Sequence, residues 1–199
     1  MSALRLYCLP YSGASAMVYS RWQRRVPSWL KIQPLELPGR GKRMDESLHR
    51  DMQPLIAQLV AEIRSELHTA YALFGHSLGA LVAYELAQEL RAQGCPAPRA
   101  LIASGTAAPS QRDDYREKYF HPKNDEELIA ELRELQGTTE DVLNNRELME
   151  LTLPILRADF LICGNYQYRQ LPKLNIPVQV FGGKTDKAEE PRTQKRKCG

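Results

Sequence analysis

Cysteine is scarce and scattered. The 199 residues hold four, at Cys8, Cys95, Cys163 and Cys198, with no CxxC pair among them. Disulfides are therefore not expected, a reducing cytoplasmic setting is, and no metal site is expected. Cys8 and Cys163 lie in apolar surroundings and read as small buried hydrophobes. Long apolar runs are also missing. None approaches the ~18 residues of a membrane span, so no membrane partner is expected. Met1–Leu9 has neither a basic leader nor a long apolar core, which argues against a signal peptide. Repeats and low-complexity tracts are absent. Charge of one sign is lacking as well: 27 Lys+Arg against 24 Asp+Glu leave a net charge of +3, with basic residues clustered only at the C-terminus. That balance gives no case for nucleic acid. What remains, 43% hydrophobic and 26% charged residues, is ordinary globular composition. The length suits one domain with a real core.

The most informative stretch is Gly75-His76-Ser77-Leu78-Gly79. An apolar run, Tyr71–Phe74, precedes it, and a helical pattern begins at Ala80. Strand, sharp turn and helix are the context of a nucleophile elbow. Flanking glycines allow the tight turn and the close approach of neighbouring elements. This geometry would present the Ser77 hydroxyl at the carboxyl end of a sheet and aim the Leu78 amide at a developing oxyanion.

In chain order, Leu4–Leu9 reads as a strand ended by Pro10, followed by a loop of small residues through Ala16. The second oxyanion donor of such hydrolases comes from a loop after an early strand, and Ser12 is the candidate amide. Trp22, Val26 and Trp29 predict one buried face of a helix over Tyr19–Leu30. Ile32–Leu37 reads as a strand closed by a turn at Pro38–Gly41, in which Arg40 is expected to be solvated, the alternative being that it meets an anionic group. Asp51 is the expected cap of a helix with an apolar stripe from Leu55 to Leu67. His49 and His68, at its ends, read as surface histidines. The post-elbow helix ends near Gly94, and Ala100–Ser104 is another strand. Strands alternating with helices predict a mostly parallel sheet with helices on both faces.

From Gln111 to Tyr168 the pattern is charged and helical, without a clear strand. Asn124 with Glu127 makes a capping-box start, Gly137-Thr138-Thr139 a break, and Pro154 a kink in the run Arg146–Phe160. Helices inserted between core strands read as a lid, residues 111–168. The alternative is that they are simply part of the packed fold. Ile176–Phe181 is a late strand, and Asp186 just beyond it suits the orienting acid of a Ser, Asp, His order.

These pieces together resemble the type II thioesterases of non-ribosomal peptide and polyketide synthesis, in the α/β-hydrolase superfamily. The matching segments are Leu9–Ala14, Leu37–Gly41, Gly75–Ala80, Leu153–Asp159 and Gly182–Asp186, in the family's order over about the first 186 residues. The resemblance implies one α/β-hydrolase domain over residues 1–186. It also implies hydrolysis of acyl thioesters on the phosphopantetheine arm of acyl or peptidyl carrier domains, an editing role in antibiotic or siderophore biosynthesis. Ser77 would be the nucleophile, Asp186 the acid, and the amides of Ser12 and Leu78 the oxyanion donors. No bound cofactor is implied, since the partner carries the phosphopantetheine. The sequence departs from the family after Asp186: residues 187–199 are polar, without an apolar period, and contain no histidine. The family's Gly-Gly-His segment and its last strand and helix are not found there, so the general base is unassigned. His76 should leave the elbow in another direction, and His121 lies in the lid. A shortened, impaired homologue that still binds carrier domains is the rival expectation. A serine esterase acting on small free substrates is a weaker one.

Overall fold

The computed structural model describes residues 3–135 and 138–183. Five strands, β1 (Leu4–Leu9), β2 (Leu30–Pro34), β3 (Tyr71–His76), β4 (Leu101–Ser104) and β5 (Val178–Phe181), form one sheet in the order β2-β1-β3-β4-β5. Every pairing is parallel, with Leu9 opposite Gly75 and Gly75 opposite Ala103. Parallel strands all present their carboxyl ends on one edge. The loops after β1, β3 and β4 therefore meet there.

Alternation along the strands divides the core in two. Tyr7, Leu9, Tyr71, Leu73 and Leu101 face a large cluster with the apolar sides of α1 (Met52–Ile63) and α2 (Leu78–Ala92). Helix α1 buries Met52, Leu55, Ile56, Leu59, Val60 and Ile63, each contributing about 1.5–3 kcal/mol when fully buried. Leu6, Cys8, Ile32 and Ala72 point the other way, against Tyr19, Trp22 and Phe74.

That second face corrects a sequence expectation. Instead of a helix over Tyr19–Leu30 there are two 3-10 turns, Ala16–Tyr19 and Trp22–Arg25. Pro27 explains the stop. Its ring disfavours the helical region for the preceding residue, and Val26 is extended at φ −109°, ψ 154°. Trp22 still packs, 4.9 Å from Tyr19 and 5.0 Å from Phe74 between ring centroids. Trp29, expected in the core, is 56% exposed.

Strand β2 begins and ends earlier than expected. Leu35 N–H still reaches Cys8 O at 2.9 Å before the chain diverges. Asp51 precedes α1 but makes no capping bond; its carboxylate accepts from Asn165 Nδ2 instead. Helix α2 ends as Gly94 would have it. Gly94 has φ +67°, its amide donates to Arg91 O and that of Cys95 to Leu90 O, which is the Schellman pattern.

Between β4 and β5 come α3 (Asp113–Tyr119), α4 (Asp125–Leu135), α5 (Glu140–Leu143) and α6 (Arg146–Asn165). The capping box of α4 is complete: Glu127 N–H donates to Asn124 Oδ1 at 2.9 Å and Asn124 N–H to Glu127 Oε2 at 2.8 Å. Helix α6 runs through Pro154, and its Leu156 and Phe160 join the main core. It crosses α3 closely, since a Cβ on Gly164 would lie 2.1 Å from Tyr119 O. Glu85 of α2, buried, accepts from Tyr166 at 2.8 Å and Arg169 at 2.9 Å and so holds the chain beyond α6. Among the described residues no helix is long and apolar enough to cross a membrane.

Candidate active site

Strand β3 leads into α2 through a single residue, Ser77, at φ 53° and ψ −116°. It is the one non-glycine residue with positive φ among those described. An L-residue in this region carries strain of order 1–3 kcal/mol and persists only where its surroundings enforce it. Two close approaches do so here. A Cβ on Gly75 would lie 2.0 Å from Gly79 O, and one on Gly79 would lie 2.1 Å from Leu9 O and 2.6 Å from Pro10 O. The first turn of α2 is thus pressed onto the ends of β1 and β3, and only glycine fits at either contact. Ser77 N–H donates to Ser104 O at 2.8 Å, which ties the elbow to the end of β4. Leu78, buried, is the first residue of α2, so its amide has no carbonyl partner within the helix.

The loop after β1 lies along the same edge. Ala14 N–H donates to Tyr11 O at 3.0 Å and Gly13 has φ +79°, the third-residue value of a type II turn. Ser12 is the second residue of that turn, and no backbone carbonyl among the described residues takes its amide. Two buried carboxylates hold the loop. Glu36 accepts from Ser15 Oγ at 2.7 Å and from Ala16 N–H at 2.9 Å. Asp159 of α6 accepts from Gly13 N–H at 2.8 Å.

Asp159 also receives both terminal nitrogens of Arg40, each at 2.7 Å. Arg40 is 3% exposed and Asp159 fully buried, so the expectation of a solvated Arg40 is overturned in favour of the alternative, an anionic partner. Its partner lies 119 residues away, a distance over which spacing and periodicity carry no signal. Glu36, and Asp159 as the partner of Arg40, are the site components that residue-by-residue reading missed. The segments that hold Arg40 and Asp159, Leu37–Gly41 and Leu153–Asp159, were visible only as motifs.

The histidines go elsewhere. His76 Nδ1 is 3.1 Å from Ser104 Oγ, and its ring meets Tyr11 edge-on at 5.7 Å. It therefore leaves the elbow sideways, as expected. His121 is exposed beside Phe120. His49 is half-buried against Gln58, and His68 is exposed and bonds Ser65 O. Among the described residues no imidazole hydrogen-bonds Ser77. Asp186 and the segment 187–199 lie outside the described residues.

A parallel sheet with a serine in a strained strand-to-helix turn defines an α/β-hydrolase fold. The thioesterase-domain family model matches residues 4–197. Gramicidin S biosynthesis protein GrsT of Aneurinibacillus migulanus is 38% identical over 186 residues, covering 92% of this chain and 71% of that protein. The RedJ thioesterase from the prodiginine pathway of Streptomyces coelicolor is 37% identical with a TM-score of 0.83, covering 90% of this chain and 67% of that one. The type II thioesterase BorB from the borrelidin biosynthetic cluster is 35% identical with a TM-score of 0.82, covering 95% of this chain and 76% of that one. The chain belongs to the thioesterase family, among the type II thioesterases of non-ribosomal peptide and polyketide pathways.

Proposed function

We propose that this thioesterase removes acyl groups from the phosphopantetheine arm of acyl or peptidyl carrier domains, with Ser77 as nucleophile. The observation that carries the reading is the strained Ser77 backbone, held at the sheet's carboxyl edge by Gly75 and Gly79. Ser77 Oγ attacks the thioester carbonyl, the C–S bond breaks, and the arm leaves as a thiol. Water then hydrolyses the acyl-serine. The amides of Leu78 and Ser12 are the proposed donors to the tetrahedral oxyanion. Asp186 is the proposed orienting acid, and residues 111–168 the proposed lid over the acyl group, within a single domain of residues 1–186. The base stays unassigned. Because no described imidazole bonds Ser77, a carrier-binding chain with impaired turnover is the second reading.

Hydrolysis of an acyl-carrier thioester by this chain, beside Ser77→Ala, tests the proposal. The variant is expected to lose on the order of 10⁴-fold in rate. Equal rates well above the uncatalysed background would sink the serine mechanism. Equal, negligible rates with retained carrier binding would favour the second reading.

A further inference from the structure

An oxyanion donor works only when it is held in place: a misplacement of 1 Å can cost on the order of 10²-fold. Beyond Tyr11 the loop, Ser12–Ser15, is built of small residues, so its orientation has to be imposed from outside. Its anchor is on Gly13, the residue after the Ser12 donor. The second residue keeps φ at about −60° in type I and type II turns alike, so the Ser12 amide is aimed by where the whole turn is held. The Gly13 N–H donates to Asp159 Oδ2 at 2.8 Å. Asp159 cannot turn away, because Arg40 holds both its oxygens at 2.7 Å. Arg40 also reaches Ala14 O at 3.4 Å, on the other side of the turn.

Stability alone does not account for this arrangement. Burying two charges costs several kcal/mol per ion, and a well-packed apolar pair is often as stable or more so. Here Arg40 Nε is also buried without a partner among the described residues, a further cost. An apolar contact could have joined α6 to the loop, as Leu156 already does beneath Gly13. What an apolar contact could not supply is an acceptor for the Gly13 amide.

We infer that Arg40 and Asp159 are positioning residues, which anchor the Tyr11–Ala14 turn to α6 at Gly13 N–H and Ala14 O and so hold the Ser12 amide where the oxyanion forms. The inference rests on the reading of Ser12 as an oxyanion donor. It also makes α6 the fixed part of the proposed lid, since the helix and the oxyanion loop share one buried carboxylate.

The test is the double variant Arg40→Met/Asp159→Leu, which removes the charges and the acceptor together while filling the space. Thermal stability should match or exceed that of the parent. KM for the acyl-carrier thioester should change less than about twofold, and kcat should fall by about 10²-fold, as when one oxyanion donor is lost. Affinity for octylboronic acid, which forms a tetrahedral adduct on the serine without needing turnover, should fall by a similar factor. Unchanged kcat and unchanged boronate affinity in a folded double variant would overturn the inference. Should that variant not fold, Asp159→Asn keeps the shape and is expected to lower kcat and boronate affinity together, at nearly constant KM. A loss of stability with both functional readouts intact would assign the pair a purely structural role. Failure of the underlying mechanism is told apart by Ser77→Ala: if it equals the parent in hydrolysis and in boronate binding, the serine reading falls and this inference with it.

Discussion

Glycines around Ser77 do different physical work from glycines elsewhere, and substitution separates them. Gly79 has no room: an added Cβ would meet the carbonyl oxygens of Leu9 and Pro10, backbone atoms that cannot swing aside. Gly79→Ala is expected to cost about 3 kcal/mol, the upper range for overpacking, and to abolish activity by shifting the first turn of α2. Gly94 has open space around it but a φ of +67°, so Gly94→Ala should cost only about 1–2 kcal/mol of backbone strain and leave turnover unchanged. Urea denaturation of both variants, with assays on the folded protein, checks the contrast. A Gly79→Ala protein with parent-like stability would contradict the close approach on which the site geometry depends.

Among the elements, α3 and α4 are joined through one carboxylate. Glu131 of α4, almost fully buried, accepts from Tyr119 at 2.6 Å and pairs with Lys118 at 2.6 Å and Lys123 at 3.2 Å. Burial alone would raise its pKa, but the hydrogen bonds from Lys118, Tyr119 and Lys123 outweigh it and hold the carboxyl below its usual range. Lys118 is correspondingly held above its own. A depressed carboxyl contributes stability above the unfolded pKa of ~4.3, and loses it as pH falls through the lower folded value. Glu131→Gln should therefore be less stable than the parent by about 2 kcal/mol at pH 7, with the gap closing below about pH 4. Thermal melts of both proteins across pH 3–7 measure this. A gap that persists undiminished at the acid end would show that the carboxylate's charge is not what joins the two helices.

For the molecule as a whole, the sheet separates two apolar compartments, and each encloses a thiol. Cys8 lies under the 3-10 turns, where burial pushes its pKa up to about 12; Cys163 lies on α6, where burial raises it to about 11 despite the nearby Arg112. Both stay protonated and enclosed at pH 8, whereas Cys95 is partly exposed. Native labelling with iodoacetamide, mapped by mass spectrometry, should modify Cys95 well before Cys8 or Cys163, whose labelling should follow unfolding. Labelling of Cys8 as fast as Cys95 in the folded protein would contradict a closed second compartment.

Much of this architecture was legible locally. Strand β1, the α1 stripe, the α4 capping box, the Gly94 stop and the elbow all depend on residues within a few positions of one another, where periodicity and turn chemistry act. The departures have local causes too. Pro27 turned an expected helix into 3-10 turns and left Trp29 exposed, because a single backbone restriction outweighed an aromatic spacing. The amino-acid sequence by itself determined the serine and its glycines, since an elbow is written in five consecutive residues, and the family, through five short motifs in a fixed order. Only the tertiary structure decided that Arg40 is buried and that Asp159 reaches both it and the Gly13 amide. Such a pairing is set by where α6 crosses the sheet's carboxyl edge, and no spacing along the chain encodes that crossing.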